Sequence, residues 1–323
     1  MTREGSGVDG GAGMDRCVPR ALGAGSARWD PRSPAVRAWV EAAVGQGARV
    51  AAITTLTPSA TDKQVFTVAR TDGVVQRVVL RRYHDATRLG SDPWYVPANE
   101  ARALRVLEPT PVPAPRLLAI DLEGVVCGVP GLLESWVPGG PACRPTDLEA
   151  YLASAAETLV AIHRVGGAAR TTFPGYAPYY DLATLAACAA TRSALWPRVI
   201  DAIAEAQPAS SSCFIHRDYH PGNALSDGAG VSAVVDWATA AWGPPGIDLA
   251  RMRQNLAGHL GPAVAHGFAA LYVAAGGDPR ARHPYWDLLD AADSIPDVAV
   301  SEAPGGGSAH RFEDYVARVL AEL

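Results

Sequence analysis

One short stretch of the chain concentrates groups able to do chemistry: Phe214-Ile215-His216-Arg217-Asp218-Tyr219-His220-Pro221-Gly222-Asn223. An apolar pair delivers a polar loop that holds a carboxylate, Asp218, and a carboxamide, Asn223. Beyond it, Ala224-Leu225 and Val231 to Val235 flank the turn Ser226-Asp227-Gly228-Ala229-Gly230. That pattern predicts a hairpin, which returns a second carboxylate, Asp236, towards Asn223. Phosphoryl transfer needs such a set. The transferred group is densely negative, so catalysis is positioning plus electrostatics. Asn223 and Asp236 offer hard oxygen ligands for Mg²⁺ beside phosphate oxygens. Asp218 would orient an acceptor hydroxyl and accept its proton.

Each residue also has a plainer reading. A lone Asp often forms a turn, and a lone Asn often caps one. His216, Asp218 and His220 alternate, which would also suit a metal such as zinc, although no further ligand cluster stands out. His216 reads as a satisfied histidine packing the loop. His220 is placed either to contact the transferring phosphate or to bond the backbone.

The loop needs elements to hold it. Pro34 to Gly45 reads as an amphipathic helix. Ala51 to Thr57, Gln64 to Ala69 and Val74 to Arg82 read as an antiparallel meander. Asn99 to Leu107 is a short helix stopped before Pro109. Leu117 to Ile120, Val125-Val126 and Leu132 to Val137 read as further strands, ended by Pro138-Gly139-Gly140. A capping box at Thr146-Asp147-Leu148-Glu149 then opens a helix through Ile162. Helical pattern covers Leu182 to Ala206 and resumes from Ile247, with loops at Gly276-Gly277 and Gly305-Gly306-Gly307. The expected division is a tail over 1–33, a smaller lobe over 34–134 and a larger lobe over 135–323.

Composition narrows the partners. A chain of 323 residues with 48% hydrophobic residues can support a sizeable core. Its formal net charge is -5, and no basic block runs through it, so nucleic acid and anionic membranes are not expected partners. A mildly acidic chain suits a cationic acceptor, as it suits many others. The segment through Arg32 lacks an apolar h-region, and no apolar run spans a bilayer, so a cytoplasmic location is expected. Cys17, Cys127, Cys143, Cys188 and Cys213 are scattered and read as reduced, mostly buried thiols. A monomer or homodimer is equally compatible with these features.

His216 to Asn223 with Asp236 resembles the aminoglycoside phosphotransferase family, a branch of the protein-kinase-like fold. Val234-Val235-Asp236-Trp237, Gly243-Pro244, Asp248-Leu249-Ala250 and Leu159-Val160-Ala161-Ile162-His163 are also similar to that family. The resemblance covers most of the chain from about Val50. It implies a two-lobed α+β fold, with a small antiparallel-sheet lobe and a larger, mainly helical one. It implies ATP or GTP as donor, Mg²⁺, and a hydroxyl of a small molecule as acceptor. An aminoglycoside-type antibiotic is the first expectation, hence antibiotic resistance. A macrolide, an amino alcohol or another metabolite is the second. It further implies Asp218 as base, Asn223 and Asp236 as metal ligands, and Asp248 as an acid bracing the loop. As a helix N-cap before Leu249-Ala250, Asp248 would contribute about 1 kcal/mol, and the two roles are compatible.

The first lobe departs from the family pattern. Val78-Val79-Leu80-Arg81 looks like the strand that carries the nucleotide-gripping lysine, with arginine in its place. Glu100 falls where the ion-pair partner would be, or is a first-turn glutamate favoured by the helix dipole. Thr57 to Gln64, the expected phosphate-covering turn, contains no glycine. Lys63, the one lysine, either reaches a phosphate or is a solvated edge-strand residue. Glu134-Ser135-Trp136 falls where backbone groups would meet the nucleotide base, with Trp136 against the base or in the core. The altered turn and Arg81 leave room for a nucleotide-binding pseudokinase. Near the C-terminus, Asp287, Asp290, Asp293, Asp297 and Glu302 gather near Tyr285 and Trp286. They read as a solvated acidic face or as an acceptor cleft formed by Asp290 and Asp293.

Overall fold

Pro34 begins helix α1 (Pro34–Val44), where its missing N–H costs nothing and Ser33 Oγ caps Val36 N–H. The computed structural model describes residues 29–56, 61–92, 95–167, 169–205, 207–295 and 307–323, with side chains from 311 in the last segment. Cys17, most of the expected tail, positions 57–60 of the glycine-free turn, Asp297, Glu302 and Gly305-Gly306 lie outside the described residues.

Strands β1 (Arg49–Thr55), β2 (Asp62–Ala69) and β3 (Val75–Arg82) form the expected meander. After α2 (Ala86–Ser91) and α3 (Pro97–Leu107) come β4 (Leu117–Asp121) and β5 (Gly131–Ser135). The sheet order is β1-β2-β3-β5-β4, all antiparallel. Strand alternation then sorts the side chains. Phe66, Val78, Leu80 and Leu133 face α1, where they pack on Val36 and Val40. The opposite face carries Lys63, Arg81 and Glu134, because Lys63 pairs with Arg81 and Glu134 with Val79.

Two expected elements differ. Val125-Val126 is not a strand. The Asp121 carboxylate accepts the N–H groups of Val125, Val126 and Cys127 at 2.8, 2.8 and 2.7 Å, winding the chain into a loop. The expected strand through Val137 ends at Ser135.

The larger half opens with α4 (Leu148–His163), capped by Asp147 rather than Thr146, through Oδ1 and Ala150 N–H at 3.0 Å. Next come α5 (Ala169–Thr172), α6 (Leu182–Ala189) and α7 (Leu195–Ala204). The helical pattern over Leu182 to Ala206 is realised as α6 and α7, and the Thr191 hydroxyl donates to the Cys188 carbonyl in the turn between them. Short strands β6 (Cys213–Ile215), β7 (Ala224–Ser226), β8 (Val231–Val234) and β9 (Ala241–Gly243) frame the loop. Helices α8 (Gly246–Leu260), α9 (Pro262–Ala274), α10 (Pro284–Asp293) and α11 (Gly307–Leu320) follow. Their core includes Leu159, Phe214, Trp237, Leu249, Met252, Phe268 and Trp286. Among the described residues no helix is long and apolar enough to cross a membrane. The fold is α+β, a five-stranded antiparallel sheet beside a mainly helical half.

Helix α3 joins the two halves. Asn99 Nδ2 donates to the carbonyls of Ala238 and Ala240, at 2.9 and 2.8 Å. Glu100 Oε1 accepts Trp237 N–H at 3.1 Å.

Candidate active site

Pairing of β6 with β9 launches the loop, and Asp248 in the first turn of α8 fixes its path. The Asp248 carboxylate accepts the N–H groups of His216 and Arg217 at 2.8 and 2.6 Å. His163, at the end of α4, lies 3.1 Å from the same carboxylate and 2.9 Å from the Tyr272 hydroxyl. Asp248 is therefore a brace rather than a cap. Two donors on adjacent residues converge on one acid, which holds Arg217 at φ 71°. Few side chains adopt that conformation unless their surroundings impose it. The Arg217 guanidinium lies over the Tyr179 ring, 4.2 Å from its centroid.

Both ring nitrogens of His216 are engaged by backbone, Nε2 with the Val235 carbonyl at 3.0 Å and Nδ1 with Asp218 N–H at 3.2 Å. Burial holds this imidazole below its ordinary pKa, so the neutral ring props the loop. That arrangement removes the zinc reading. Among the described residues no cluster of three or more His, Cys, Asp or Glu could hold a metal.

The hairpin forms as expected. Ala224 pairs with Val234, and Val235 N–H donates to Asn223 O at 3.0 Å. Asn223 Nδ2 donates to Asp218 Oδ2 at 3.1 Å and to Asp218 O at 3.0 Å, and among the described residues no hydrogen bond uses its amide oxygen. His220 Nδ1 accepts Gly222 N–H at 3.0 Å, while Nε2 lies 3.5 Å from Asp218 Oδ2. Glycine at 222 leaves room for the His220 ring, since a Cβ there would stand 2.6 Å from His220 Cε1. Burial alone would raise the Asp218 carboxyl. The hydrogen bond and charge of His220, then Arg251 and His216, outweigh it and hold Asp218 well below the usual carboxylate range.

Asp236 closes the hairpin at φ 70°. Arg81 spans the gap between the sheet and this residue. Nη1 contacts Glu100 Oε1 and Nη2 contacts Asp236 Oδ1, both at 2.7 Å. The guanidinium fork gives each carboxylate its own nitrogen, where a lysine would have to share one. Burial disfavours the charge on Arg81, but Asp236 and Glu100 more than offset it. Burial likewise opposes ionisation of Asp236, yet Arg81 and then Lys63 keep its pKa lowered. Glu100 is raised by burial against the pull of Arg81. It also accepts the Tyr83 hydroxyl.

Lys63 sits on β2, an interior strand, so the edge-strand reading does not hold. Its ammonium is lowered by burial and by Arg81, and faces the charges of Asp236, Glu100 and Glu134. Glu134 is 4% exposed, with Oε1 lacking a partner among the described residues. Trp136 stands apart from this group. Its backbone N–H donates to the Arg77 carbonyl at 3.1 Å, and the Arg77 guanidinium lies over its ring, 4.4 Å from the centroid. Ser135 N–H is likewise spent on Arg116 O at 2.8 Å, so neither backbone donor is left for a base.

The acids of α10 are not a solvated face. Asp287, Asp290 and Asp293 are 2%, 4% and 5% exposed. Asp287 pairs with Arg253 and the Tyr315 hydroxyl. Asp293 accepts the N–H groups of Tyr179 and Tyr180 at 3.0 and 3.4 Å. Asp290 meets Arg251, which also approaches Asp218. The sequence reading missed Arg251 and Tyr83, although both left a signal. Arg251 lies one turn beyond Asp248 on α8, and Tyr83 follows Arg81 by two residues at the end of a strand.

The sequence model of the APH phosphotransferase enzyme family matches residues 30–285. The chain belongs to this family. Solved structures share the fold of this phosphotransferase. A thermostable mutant of aminoglycoside phosphotransferase APH(4)-Ia, in ternary complex with ADP and hygromycin B, superposes with a TM-score of 0.60 at 19% identity. The match covers 89% of this chain and 98% of that one. Macrolide 2'-phosphotransferase MphH from Brachybacterium faecium gives a TM-score of 0.58 at 20% identity, covering 87% and 97%. A macrolide 2'-phosphotransferase type I gives 0.55 at 21%, covering 90% and 97%. Among curated proteins, none matches the sequence. The fold of the phosphotransferase is therefore protein-kinase-like.

The Glu134 carboxyl provides a test of the charges on the Lys63, Arg81 and Glu134 face of the sheet. Burial, then the neighbouring Glu100, push it up to about 8. In the unfolded chain a glutamate ionises near ~4.3. Between these values the folded phosphotransferase holds a proton that the unfolded chain has released. Stability is therefore lost as pH rises through about 8. Glu134→Gln should melt above the wild type at pH above 8, with the difference shrinking towards pH 5. A difference independent of pH would show that Glu134 is ionised throughout.

Proposed function

We propose that this phosphotransferase moves the γ-phosphoryl group of ATP or GTP to a hydroxyl of a small molecule, with an aminoglycoside-type antibiotic first among acceptors and a macrolide second. The observation that carries this reading is the meeting of Asp218, Asn223 and Asp236 at one place, on a loop held by Asp248. The acceptor classes are those of similarly folded proteins, an aminoglycoside phosphotransferase with hygromycin B and macrolide 2'-phosphotransferases.

Asp218 stays ionised at neutral pH and lies on a partly open side chain, 37% exposed. It would align the acceptor hydroxyl and take its proton as the acceptor oxygen bonds to phosphorus and the nucleoside diphosphate leaves. A loose transition state asks more for alignment than for basicity, so a lowered pKa suits the task. Asn223 and Asp236 would hold Mg²⁺, which supplies charge neutralisation on the phosphate oxygens when bound. The donor chemistry fits, one carboxylate and one amide oxygen, both hard. Asp236 Oδ1 is engaged by Arg81, and its remaining oxygen and the Asn223 amide oxygen are the groups for the cation. Lys63 and Arg81 would add positive charge on the nucleotide side. Helices α8 and α10 would form the acceptor side.

Two measurements test the reading. Millimolar ATP or GTP with Mg²⁺ should raise the melting temperature; saturation at a hundred times Kd adds about 2.7 kcal/mol. Transfer of labelled phosphate to a panel of aminoglycosides, macrolides and amino alcohols should pick out one class. No melting shift with either nucleotide, together with no transfer to any acceptor, would leave a non-catalytic role in its place.

A further inference from the structure

The two oxygens of Asp218 have different surroundings. Oδ2 accepts from Asn223 and lies near His220. Oδ1 is approached by Arg251, whose Nε lies 3.6 Å away. The same guanidinium places Nη2 3.4 Å from Asp290 Oδ1, on α10. Arg251 is thus strung between the candidate base and a buried acid from another helix. Its side chain is 18% exposed.

Neither end of this contact is closed. A tight guanidinium–carboxylate bond measures roughly 2.7–2.9 Å. Arg251 Nε and Asp290 Oδ2 are both buried without a hydrogen-bond partner among the described residues. Groups around a catalytic centre commonly stand long before substrate arrives and tighten in the productive complex. A buried donor and a buried acceptor left unspent at one junction are costly unless a further state uses them.

We propose that Arg251, anchored by Asp290, is the positioning residue that turns Asp218 Oδ1 towards the acceptor hydroxyl. The inference rests on the phosphotransfer reading, and it adds a device on the acceptor side to the loop, hairpin and Asp248 brace. Asn223 restrains one oxygen of the base from the metal side, and Arg251 restrains the other from the acceptor side. Asp290 keeps the guanidinium from swinging away, which gives this acid a use that Asp287 and Asp293, tied into structural contacts, do not have.

The test uses the full chain with ATP and Mg²⁺, phosphate release to water, and transfer to whichever panel acceptor turns over. Arg251→Met should lower kcat by about 10–100-fold, the cost of a base misplaced by around an ångström. Its KM for ATP should stay within about twofold. Arg251→Lys and Asp290→Asn should lie between wild type and Arg251→Met, and guanidinium ion should partly restore an Arg251→Ala variant. In an Asp218→Asn background, adding Arg251→Met should cost no more than about twofold, because the residue acts through the base. Wild-type kcat in Arg251→Met, or a full additional loss in the Asp218→Asn background, would overturn the positioning role while the phosphotransfer reading stands. A wild-type protein that transfers phosphate neither to water nor to any acceptor would overturn both.

Discussion

Asp218→Asn should lower kcat for phosphoryl transfer by about 10²–10⁴-fold, the usual contribution of a positioned proton acceptor. The substitution keeps the size of the side chain and an oxygen for the Asn223 amide, which bonds Oδ2 at 3.1 Å. It removes only the charge and the ability to take a proton. Stability should change little, because the Asp218 side chain is 37% exposed and its contacts with His220 and Arg251 are long, at 3.5 and 3.6 Å. Nucleotide affinity should also hold, since Asn223, Asp236 and Arg81 are untouched. Initial rates with labelled ATP and the acceptor that the wild type turns over give the check, alongside the melting shift with ATP and Mg²⁺. A variant within threefold of wild-type kcat would remove Asp218 from the chemistry.

Asp248→Ala should instead damage the fold. The carboxylate is fully buried and accepts two backbone N–H groups and a histidine contact. Its loss strands both N–H groups, at roughly 1–3 kcal/mol each. It also frees Arg217 from the left-handed conformation that the two bonds impose. On the order of 2–6 kcal/mol is a large part of the stability of a typical domain. The melting temperature should fall by on the order of 10 °C, and transfer activity should be lost even where the chain stays folded. Asp248→Asn, which keeps one acceptor oxygen, should recover part of the stability. An Asp248→Ala protein with wild-type melting and kcat would contradict the bracing role.

Much of this site was legible because its geometry is local. Asp218 and Asn223 share one loop, and the hairpin that returns Asp236 is written in two apolar runs and a glycine turn. Arg81 and Glu100 were readable as a pair, since they lie 19 residues apart on β3 and α3 with only the short α2 between them. Other expectations failed at places where a side chain or a distant element intervenes. The Asp121 carboxylate wound Val125-Val126 into a loop where two apolar residues had read as a strand. The acidic residues near the C-terminus show the same limit. Spacing put Asp287, Asp290 and Asp293 on a helix but gave no view of what packs there. Lys63 looked like an edge residue until strand order placed β2 inside the sheet.

The loop and its hairpin chemistry were determined by the sequence alone, because short-range spacing and turn residues dictate where Asp218, Asn223 and Asp236 fall. Only the tertiary structure decided what charge surrounds them. Arg81 reaches Asp236 across 155 residues of chain, Asp248 braces His216 across 32, and Arg251 stands between Asp218 and Asp290. Periodicity tells which face of an element is buried. It cannot tell which ion lies across the gap, and that partner sets whether a carboxylate is held ionised, like Asp218, or pushed towards neutrality, like Glu134.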